Sequence, residues 1–152
     1  MTFEIQRLEA CHLYDVLELE RLCFSDPYSL KTLESSLSSE RDVSLVCIVD
    51  GYVAGYIELG DFIDTLSVNR IATHPDHRKK GVAAALLAKA GEAARLKQIG
   101  ELSLEVRASN LAPRSLYEKF GFTLVGKRPN YYRDPKEDAA IYIMKLKRKK
   151  QC

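Results

Sequence analysis

The stretch TLSVNRIATHPDHRKKGVAAALL, residues 65–87, decides the fold, because in it a strand passes through a short polar turn into a helix. The alternation of apolar residues along the strand is interrupted, because in a regular strand Leu66 and Val68 would point to one face and Ile71 to the other. One extra residue near Asn69–Arg70 would return all three to one face, which is the effect of a β-bulge. The alternative is that the strand ends there or is buried on both faces.

The turn and the start of the helix, RKKGVA at residues 78–83, form a candidate phosphate site. Unpaired N–H groups at a helix start carry partial positive charge and bind anions, and a glycine lets the backbone come close to a ligand. The string is neither a Walker loop nor a GxGxxG dinucleotide loop. The competing interpretation is a basic helix start with a chance glycine. The candidate residues are Arg78, Lys79, Lys80, Gly81, Val82 and Ala83.

Outward from this stretch, apolar periodicity predicts further helices and strands. A strand at residues 3–8 and a helix that ends near Phe24 precede a second helix, for which Ser29 is the candidate N-cap. Asp50-Gly51 between two β-rich runs predicts a hairpin. The remaining predictions are strands at 101–106, 122–126 and 139–146, helices at 82–94 and 110–120, and a loop at 128–132. This order indicates an α/β domain of three layers.

The composition is that of a globular protein with room for one domain, which we assign to residues 1–152. No apolar run approaches the ~20 residues that span a bilayer, so a membrane protein is not expected.

The net charge of +2, from 23 Lys and Arg against 21 Asp and Glu, is too even to indicate nucleic-acid binding. Basic residues gather in a tail at 147–152, which we expect to be solvated. Four cysteines without a CxxC spacing favour buried free thiols in a reducing cytoplasm.

Two side chains are candidates for proton transfer. Glu105, near the carboxyl end of its strand, would take a proton from an amine directly or through water, whereas the alternative is a surface carboxylate paired with Arg107. Tyr117 would give a proton to a leaving thiolate, because a phenol of pKa ~10 can serve a thiolate of pKa ~8.5 through a short hydrogen bond. The alternative for Tyr117 is a tyrosine packed in the core.

Other polar and aromatic residues are less specific. Tyr131 and Tyr132 would form a rigid wall of a substrate cleft, or a turn that packs on the last strand. His74 and His77 stand three residues apart, but Pro75 breaks helical geometry between them and no further ligand cluster completes a site. We therefore expect no metal site.

Three segments together resemble the GNAT acetyltransferase superfamily. They are NRIATHPDHRKKGVAAALL (69–87), LSLEVRASNLAPRSLYEKFGF (102–122) and RPNYYRDPKEDAAIYIMKL (128–146). Within the superfamily the chain looks most like the RimI-type ribosomal-protein alanine acetyltransferases and archaeal N-terminal acetyltransferases. The resemblance implies a central mixed, mostly antiparallel sheet with a splayed parallel strand pair and helices on both faces.

The resemblance also implies roles for particular residues. In the family the bulged strand holds the pantetheine arm and acetyl group of acetyl-CoA, and here its backbone is Ile71, Ala72 and Thr73. The pyrophosphate loop matches the basic helix start and continues to Ala84, and the asparagine that contacts the cofactor matches Asn110. Glu105 matches the family's proton acceptor and Tyr117 its proton donor. The residues matched to the peptide cleft are Pro27, Tyr28, Tyr131 and Tyr132.

The function that the resemblance implies is transfer of acetyl from acetyl-CoA to the N-terminal α-amine of a protein or peptide, by direct attack in a ternary complex. Ribosomal proteins are the suggested substrate class, and the basic tail is the one suggested route to nucleic acid, through ribosome contact. The alternatives are acetylation of lysine side chains or of a small amine, and a non-catalytic acyl-CoA sensor or protein-binding subunit. FSDPYS at residues 24–29 departs from the Phe-Pro-Trp-Ser common in RimI-type enzymes, so the preferred first residue of the substrate stays open.

Overall fold

The computed structural model describes residues 2–146, so the predicted basic tail at 147–152 lies outside the described residues. Helices and strands follow one another along the described chain in the predicted order. The strands are β1 Phe3–Arg7, β2 Asp42–Val49, β3 Tyr52–Asp61, β4 Leu66–Thr73, β5 Glu101–Arg107, β6 Thr123–Arg133 and β7 Lys136–Lys145. The helices are α1 Leu13–Cys23, α2 Leu30–Ser38, α3 Val82–Leu96 and α4 Leu111–Phe120.

Local sequence sets the turns and helix starts as predicted. Asp50 and Gly51 have φ angles of 51° and 83°, the left-handed pair that suits a tight hairpin between β2 and β3. Ser29 is the N-cap of α2, and its hydroxyl accepts a hydrogen bond from the N–H of Thr32 at 3.2 Å. Both predictions are confirmed.

The strands form one sheet in the order β1-β2-β3-β4-β5-β7-β6. Within the described residues only β4 and β5 run parallel, and every other neighbouring pair is antiparallel. The crossover from β4 to β5 passes through α3, as a parallel connection requires. The predicted mixed, mostly antiparallel sheet is therefore confirmed.

Helices cover both faces of the sheet, which confirms the three layers. On one face α1 and α2 bury Val16, Leu19 and Leu33 against inward-facing residues of the central strands such as Tyr56. On the other face a larger core is formed by the apolar side of α3, by α4 and by the residue two positions after α4. Its members include Leu86, Leu87, Ala90, Tyr117 and Phe122. This burial of two helical layers on one sheet is the main stabilising contribution.

Two of the sequence predictions are wrong. Residues 128–132 are not a loop but part of β6, which pairs with β7 both before and after a register shift between Arg128 and Tyr132. Pro129 and the left-handed Asn130 (φ 55°) interrupt the pairing locally without ending the strand. Cys11 is exposed rather than buried, whereas Cys23 is half-buried and Cys47 is buried.

No helix among residues 2–146 is long and apolar enough to cross a membrane.

Candidate active site

The site begins where β4 and β5 separate. The two strands pair over three residues, and the pairing ends at Val68 in β4 and Leu104 in β5, although both strands continue. Beside this point the register between β3 and β4 shifts, and Asn69 is the residue without a partner on β3. The predicted bulge and the predicted splay are both confirmed. Separated strands leave backbone donors and acceptors free for a ligand.

Ile71, Ala72 and Thr73 follow the bulge directly. Each stays paired with β3 on one side, so the opposite edge of this segment faces the gap left by β5. A free strand edge can hold an extended ligand through backbone hydrogen bonds. Their assignment to the pantetheine arm and acetyl group stays a prediction, and the geometry is compatible with it.

The start of α3 lies beside the same gap and presents free N–H groups. Its N-cap is Gly81, whose φ of 88° is left-handed and unstrained for glycine. The first bond into the helix runs from the N–H of Ala85 to the carbonyl of Gly81 at 3.0 Å. The N–H groups without a partner among the described residues are those of Val82, Ala83 and Ala84. The exposed cations beside them are Arg78, Lys79 and Lys80. This arrangement fits a pyrophosphate.

Gly55 on β3 sets how closely α3 approaches the sheet. A Cβ atom at this position would lie 2.7 Å from Cγ1 of Val82 and 2.8 Å from the carbonyl oxygen of Ala72. Real Cβ atoms do not come this close, so the helix start packs directly on the glycine. The candidate anion site and the candidate acetyl-holding strand are thus held together by one close contact.

Asn110 is the N-cap of α4 and follows β5 at the end of the gap. Its side chain makes no capping bond to the helix, and its backbone N–H donates to the carbonyl of Arg107 at 3.0 Å. The side-chain amide of Asn110 is therefore exposed and available to a ligand.

Glu105 is the first residue of β5 beyond its pairing with β4, and its two carboxylate oxygens have different surroundings. Oε1 is 3.0 Å from Nε of Arg128, and the side chain is 27% exposed. Oε2 is buried and has no hydrogen-bond partner among the described residues. The alternative pairing with Arg107 does not occur, because Arg107 instead bonds Glu137 and the carbonyl oxygen of Pro135. A buried carboxylate oxygen without a donor is suited to accept a proton.

Tyr131 and Tyr132 lie next to Glu105 on the neighbouring hairpin. Their rings meet edge to face with centroids 5.0 Å apart. Burial and then the charge of Glu105 raise the pKa of Tyr132 to about 12, and the same two causes raise the pKa of Tyr131. The guanidinium of Arg107 lies 4.4 Å from the centroid of the Tyr132 ring. Both tyrosines therefore stay neutral beside the carboxylate.

Tyr117 on α4 is only 6% exposed. Its ring packs against Phe122 and Tyr142 at centroid distances of 6.0 and 6.4 Å. Burial, and to a lesser extent Tyr132, raise the pKa of the Tyr117 phenol. The phenol therefore keeps its proton at neutral pH, which a proton donor requires. Packing in the core is observed, and because the buried phenol keeps its proton, this packing is compatible with a role as proton donor.

Tyr28 and Pro27 lie in the segment between α1 and α2, on the other side of the cleft. The hydroxyl of Tyr28 donates to Oε1 of Glu58 at 3.3 Å. Burial and then the charge of Glu58 raise the pKa of Tyr28 to about 12. Beside it, Ser25 Oγ donates to the carbonyl oxygen of Asp134 at 2.7 Å. This bond links the α1–α2 segment to the turn between β6 and β7, so the two predicted substrate-lining segments meet.

Sequence reasoning missed three charged residues of the site. Arg128 pairs with Glu105, and Arg70 pairs with Glu20 at 2.8 Å. Glu20 is fully buried, which is unusual for a carboxylate. The only sign of the buried Glu20 in the sequence was its position on the apolar face of α1. The partners are far apart in the chain and could not be paired from spacing.

The two histidines after β4 do not assemble a ligand cluster with other side chains. Their rings meet edge to face at 5.9 Å, and Nδ1 of His74 accepts the N–H of Asp76 at 3.1 Å. Among residues 2–146, no group of three or more metal-ligating side chains comes together.

Comparison with known proteins gives consistent matches along the chain. Residues 13–122 match the acetyltransferase (GNAT) family. The chain is 35% identical over 127 residues to the putative ribosomal protein bS18-alanine N-acetyltransferase of Bacillus subtilis, covering 83% of this chain and 84% of that protein. It is 32% identical over 144 residues to the ribosomal protein bS18-alanine N-acetyltransferase of Escherichia coli, covering 93% and 97%.

Solved structures agree with these sequence matches. The crystal structure of the Escherichia coli ribosomal-protein-S18-alanine N-acetyltransferase has a TM-score of 0.88 at 30% identity, over 99% of this chain and 97% of that one. The PaiA N-acetyltransferase of Thermoplasma acidophilum, solved with coenzyme A, shares the fold with a TM-score of 0.81 at 22% identity, over 96% and 100%. The splayed strands, the uncapped helix start and these matches lead to one conclusion. The chain belongs to the acetyltransferase (GNAT) family.

Proposed function

We propose that this chain transfers the acetyl group of acetyl-CoA to the N-terminal α-amine of a protein, with a ribosomal protein that begins with alanine as the first candidate. As a GNAT acetyltransferase the chain uses acetyl-CoA as its acetyl donor. The observation that carries the finer proposal is that Oε2 of Glu105 is buried and has no partner in the described part of the chain. It lies on the strand that separates from β4, where an amine would meet the acetyl group.

The proposed role of Glu105 is to take a proton from the attacking ammonium at Oε2, directly or through one water. An α-ammonium has a pKa of ~7.7–8.0, against ~10.4 for lysine, so a carboxylate base is adequate for the first and less so for the second. Arg128 supports this role because it holds Oε1 at 3.0 Å and leaves Oε2 for the substrate. The favoured acceptor is therefore an α-amine.

Tyr117 is the proposed proton donor. When bound, acetyl-CoA supplies a thioester, whose carbonyl carbon the amine attacks and whose sulfur leaves as a thiolate. The Tyr117 hydroxyl gives its proton to that sulfur, and its raised pKa keeps it protonated until then. Backbone N–H groups in the segment 71–73 polarise the acetyl oxygen, in the manner of an oxyanion hole. No protein nucleophile is needed.

The remaining binding residues divide between the two ligands. We assign the pyrophosphate to the free N–H groups and cations at the start of α3, and part of the pantetheine arm to Asn110. The peptide lies between the α1–α2 segment with Pro27 and Tyr28 and the hairpin with Tyr131 and Tyr132. The hydrogen bond between Ser25 and Asp134 joins these two walls. We therefore expect the end of a peptide to fit between them better than the middle of one.

The substrate class follows from the relatives named above. Both curated relatives are named for alanine acetylation of ribosomal protein bS18, which also favours a cytoplasmic site of action. Contact with the ribosome through residues 147–152 stays a prediction. Deletion of these residues should weaken any salt-dependent ribosome binding, and unchanged binding would contradict it.

The test is a panel of otherwise identical peptides that differ only in their first residue. We expect initial rates to be highest for small first residues, alanine among them, and coenzyme A release to match acetylation of the α-amine. Equal rates for all first residues, or no turnover of any peptide, would overturn the proposed substrate class.

A further inference from the structure

A buried charged cluster lies under the α1–α2 segment and is not used by the chemistry proposed above. Its centre is Glu20, which is 0% exposed. Glu20 accepts hydrogen bonds from the guanidinium of Arg70 at both oxygens, at 2.8 Å to Oε1 and 3.2 Å to Oε2. The hydroxyl of Tyr56 also donates to Oε2. A carboxylate this deep needs such partners, because an unpaired buried charge is very costly.

Arg70 also holds the segment that lines the cleft. Its Nη2 donates to the carbonyl oxygen of Asp26 at 2.9 Å. Its guanidinium lies 3.9 Å from the ring centroid of Phe24 and 4.1 Å from that of Tyr28. Two aromatic rings on one guanidinium, both partly desolvated, give a rigid clamp.

The same carboxylate binds the segment directly. The backbone N–H of Tyr28 donates to Oε1 of Glu20 at 2.7 Å. Glu20 and Arg70 therefore fix both the N–H of Tyr28 and the carbonyl of Asp26, one residue on each side of Pro27. With the side chain of Arg70 only 15% exposed, little water competes with these bonds.

The position of Arg70 in the sheet gives this clamp a second connection. Arg70 follows the bulged Asn69 and precedes the segment 71–73. One residue thus joins the strand assigned to the acetyl group to the α1–α2 segment.

We propose that Arg70 is a positioning residue for the acceptor peptide, which holds Asp26–Tyr28 in the conformation that binds the peptide end. This inference rests on the proposed function, because it concerns the same cleft. Arg70 acts through the segment rather than on the reacting atoms. Loss of the clamp therefore weakens peptide binding and leaves the proton-transfer groups in place.

The test compares Arg70→Lys with Arg114→Lys. Lysine at position 70 keeps the charge that compensates Glu20 but cannot make the forked bonds or stack on two rings. Arg114 is a matched control, because it also lies over a tyrosine ring, that of Tyr142 at 5.8 Å, and donates to a backbone carbonyl, that of Ala108 at 2.8 Å. Phe24→Leu is a second test variant, which removes one ring and leaves the ion pair intact.

Two readouts are measured on each variant. In Arg70→Lys we expect amide exchange at residues 26–29 to be about tenfold faster, the peptide KM to rise about tenfold, and kcat and acetyl-CoA affinity to stay within twofold. Phe24→Leu should shift exchange and KM in the same direction by less, and Arg114→Lys should shift neither. Unchanged exchange and KM in Arg70→Lys, or a joint fall of kcat and acetyl-CoA affinity with the folded fraction, would overturn the inference. If wild type fails to acetylate any α-amine, the proposed function fails, and the exchange rates alone still decide whether Arg70 holds the segment.

Discussion

Arg128 holds one oxygen of Glu105, at 3.0 Å from Nε to Oε1, and the other oxygen is buried without a hydrogen-bond partner among residues 2–146. The two residues come from β5 and β6, which are separated in the sheet by β7. A fixed carboxylate with one free oxygen is the geometry that a general base needs. The arginine thus orients the proposed base without occupying both of its oxygens.

Glu105→Gln should lower turnover about 10²- to 10⁴-fold, because the amide has the shape of the carboxylate but cannot take the proton. Acetyl-CoA affinity should be unchanged, as measured by calorimetry. Glu101→Gln on the same strand is the control, since it removes only the pairing with Lys145 on the protein surface. Full activity of Glu105→Gln would contradict the role of the base.

Tyr117→Phe should lower turnover by ~10- to 10⁴-fold, with acetyl-CoA affinity close to normal. Phenylalanine keeps the packing against Phe122 and Tyr142 and removes only the hydroxyl. Tyr142→Phe is the matched control, because its hydroxyl bonds Arg114 and Glu118 on α4. It should lower the melting temperature and leave turnover intact. If both variants lose turnover equally, Tyr117 has no special role.

Gly55→Ala should weaken acetyl-CoA binding and destabilise the fold by about 1–3 kcal/mol, because the added methyl would overlap Val82 and push the start of α3 away. Gly91→Ala, inside the same helix, is the control. A Cβ there meets nothing within 4 Å, so alanine should stabilise the helix by up to ~1 kcal/mol. Thermal melts with and without acetyl-CoA measure both effects. An equal response of the two variants would contradict the close packing.

Cys23→Ser should keep turnover within about twofold. The thiol, at the end of α1, donates to the carbonyl of Thr73 at 3.4 Å, so it contacts the strand to which we assign the acetyl group. Direct attack by the amine does not use it. Mass spectrometry of the enzyme during turnover should find no acetyl group on Cys23, and an acetyl-cysteine that forms and decays at the rate of turnover would contradict the ternary-complex mechanism.

Glu58→Gln should raise the melting temperature at pH 7. Glu58 is 7% exposed, and burial, followed by the charge of Asp42, raises its pKa from 4.5. A carboxyl with a raised folded-state pKa stabilises the fold below its unfolded pKa, and this contribution is lost as the pH rises through the folded value. Glutamine does not ionise, so it avoids the cost of a buried charge at pH 7, and it can still form hydrogen bonds with Tyr28 and Ser36.

The melting temperature should rise by ~2–4 °C for each kcal/mol recovered, and the advantage should disappear below about pH 4.5. Glu40→Gln, at an exposed position, is the control and should change neither. A melting temperature that falls at every pH would show that the carboxylate is needed in its charged form.

Local patterns in the sequence were sufficient to predict the elements to which we assign the cofactor. The break in apolar alternation after Val68 located the bulge. The glycine that follows three cationic residues located the start of α3. Both features depend on neighbouring residues and on backbone geometry, which short sequence windows encode.

The charged pairs of the site were not predictable in the same way. Arg128 reaches Glu105 only because β7 inserts between β5 and β6, and Arg70 meets Glu20 only because α1 packs against β4. Strand order and helix placement are global properties. The error at residues 128–132 has a local cause, since a proline and a left-handed asparagine are typical of loops, yet here β7 supplies partners on both sides.

The central claim is that the acceptor is an N-terminal α-amine, and one measurement tests it directly. A peptide with a free alanine N-terminus and an internal lysine is incubated with enzyme and acetyl-CoA, alongside the same peptide with a blocked N-terminus, and tandem mass spectrometry locates the acetyl group. We expect acetylation at the α-amine of the first peptide and none of the blocked peptide. Acetylation at the lysine ε-amine of both peptides, with the α-amine untouched, would contradict the account.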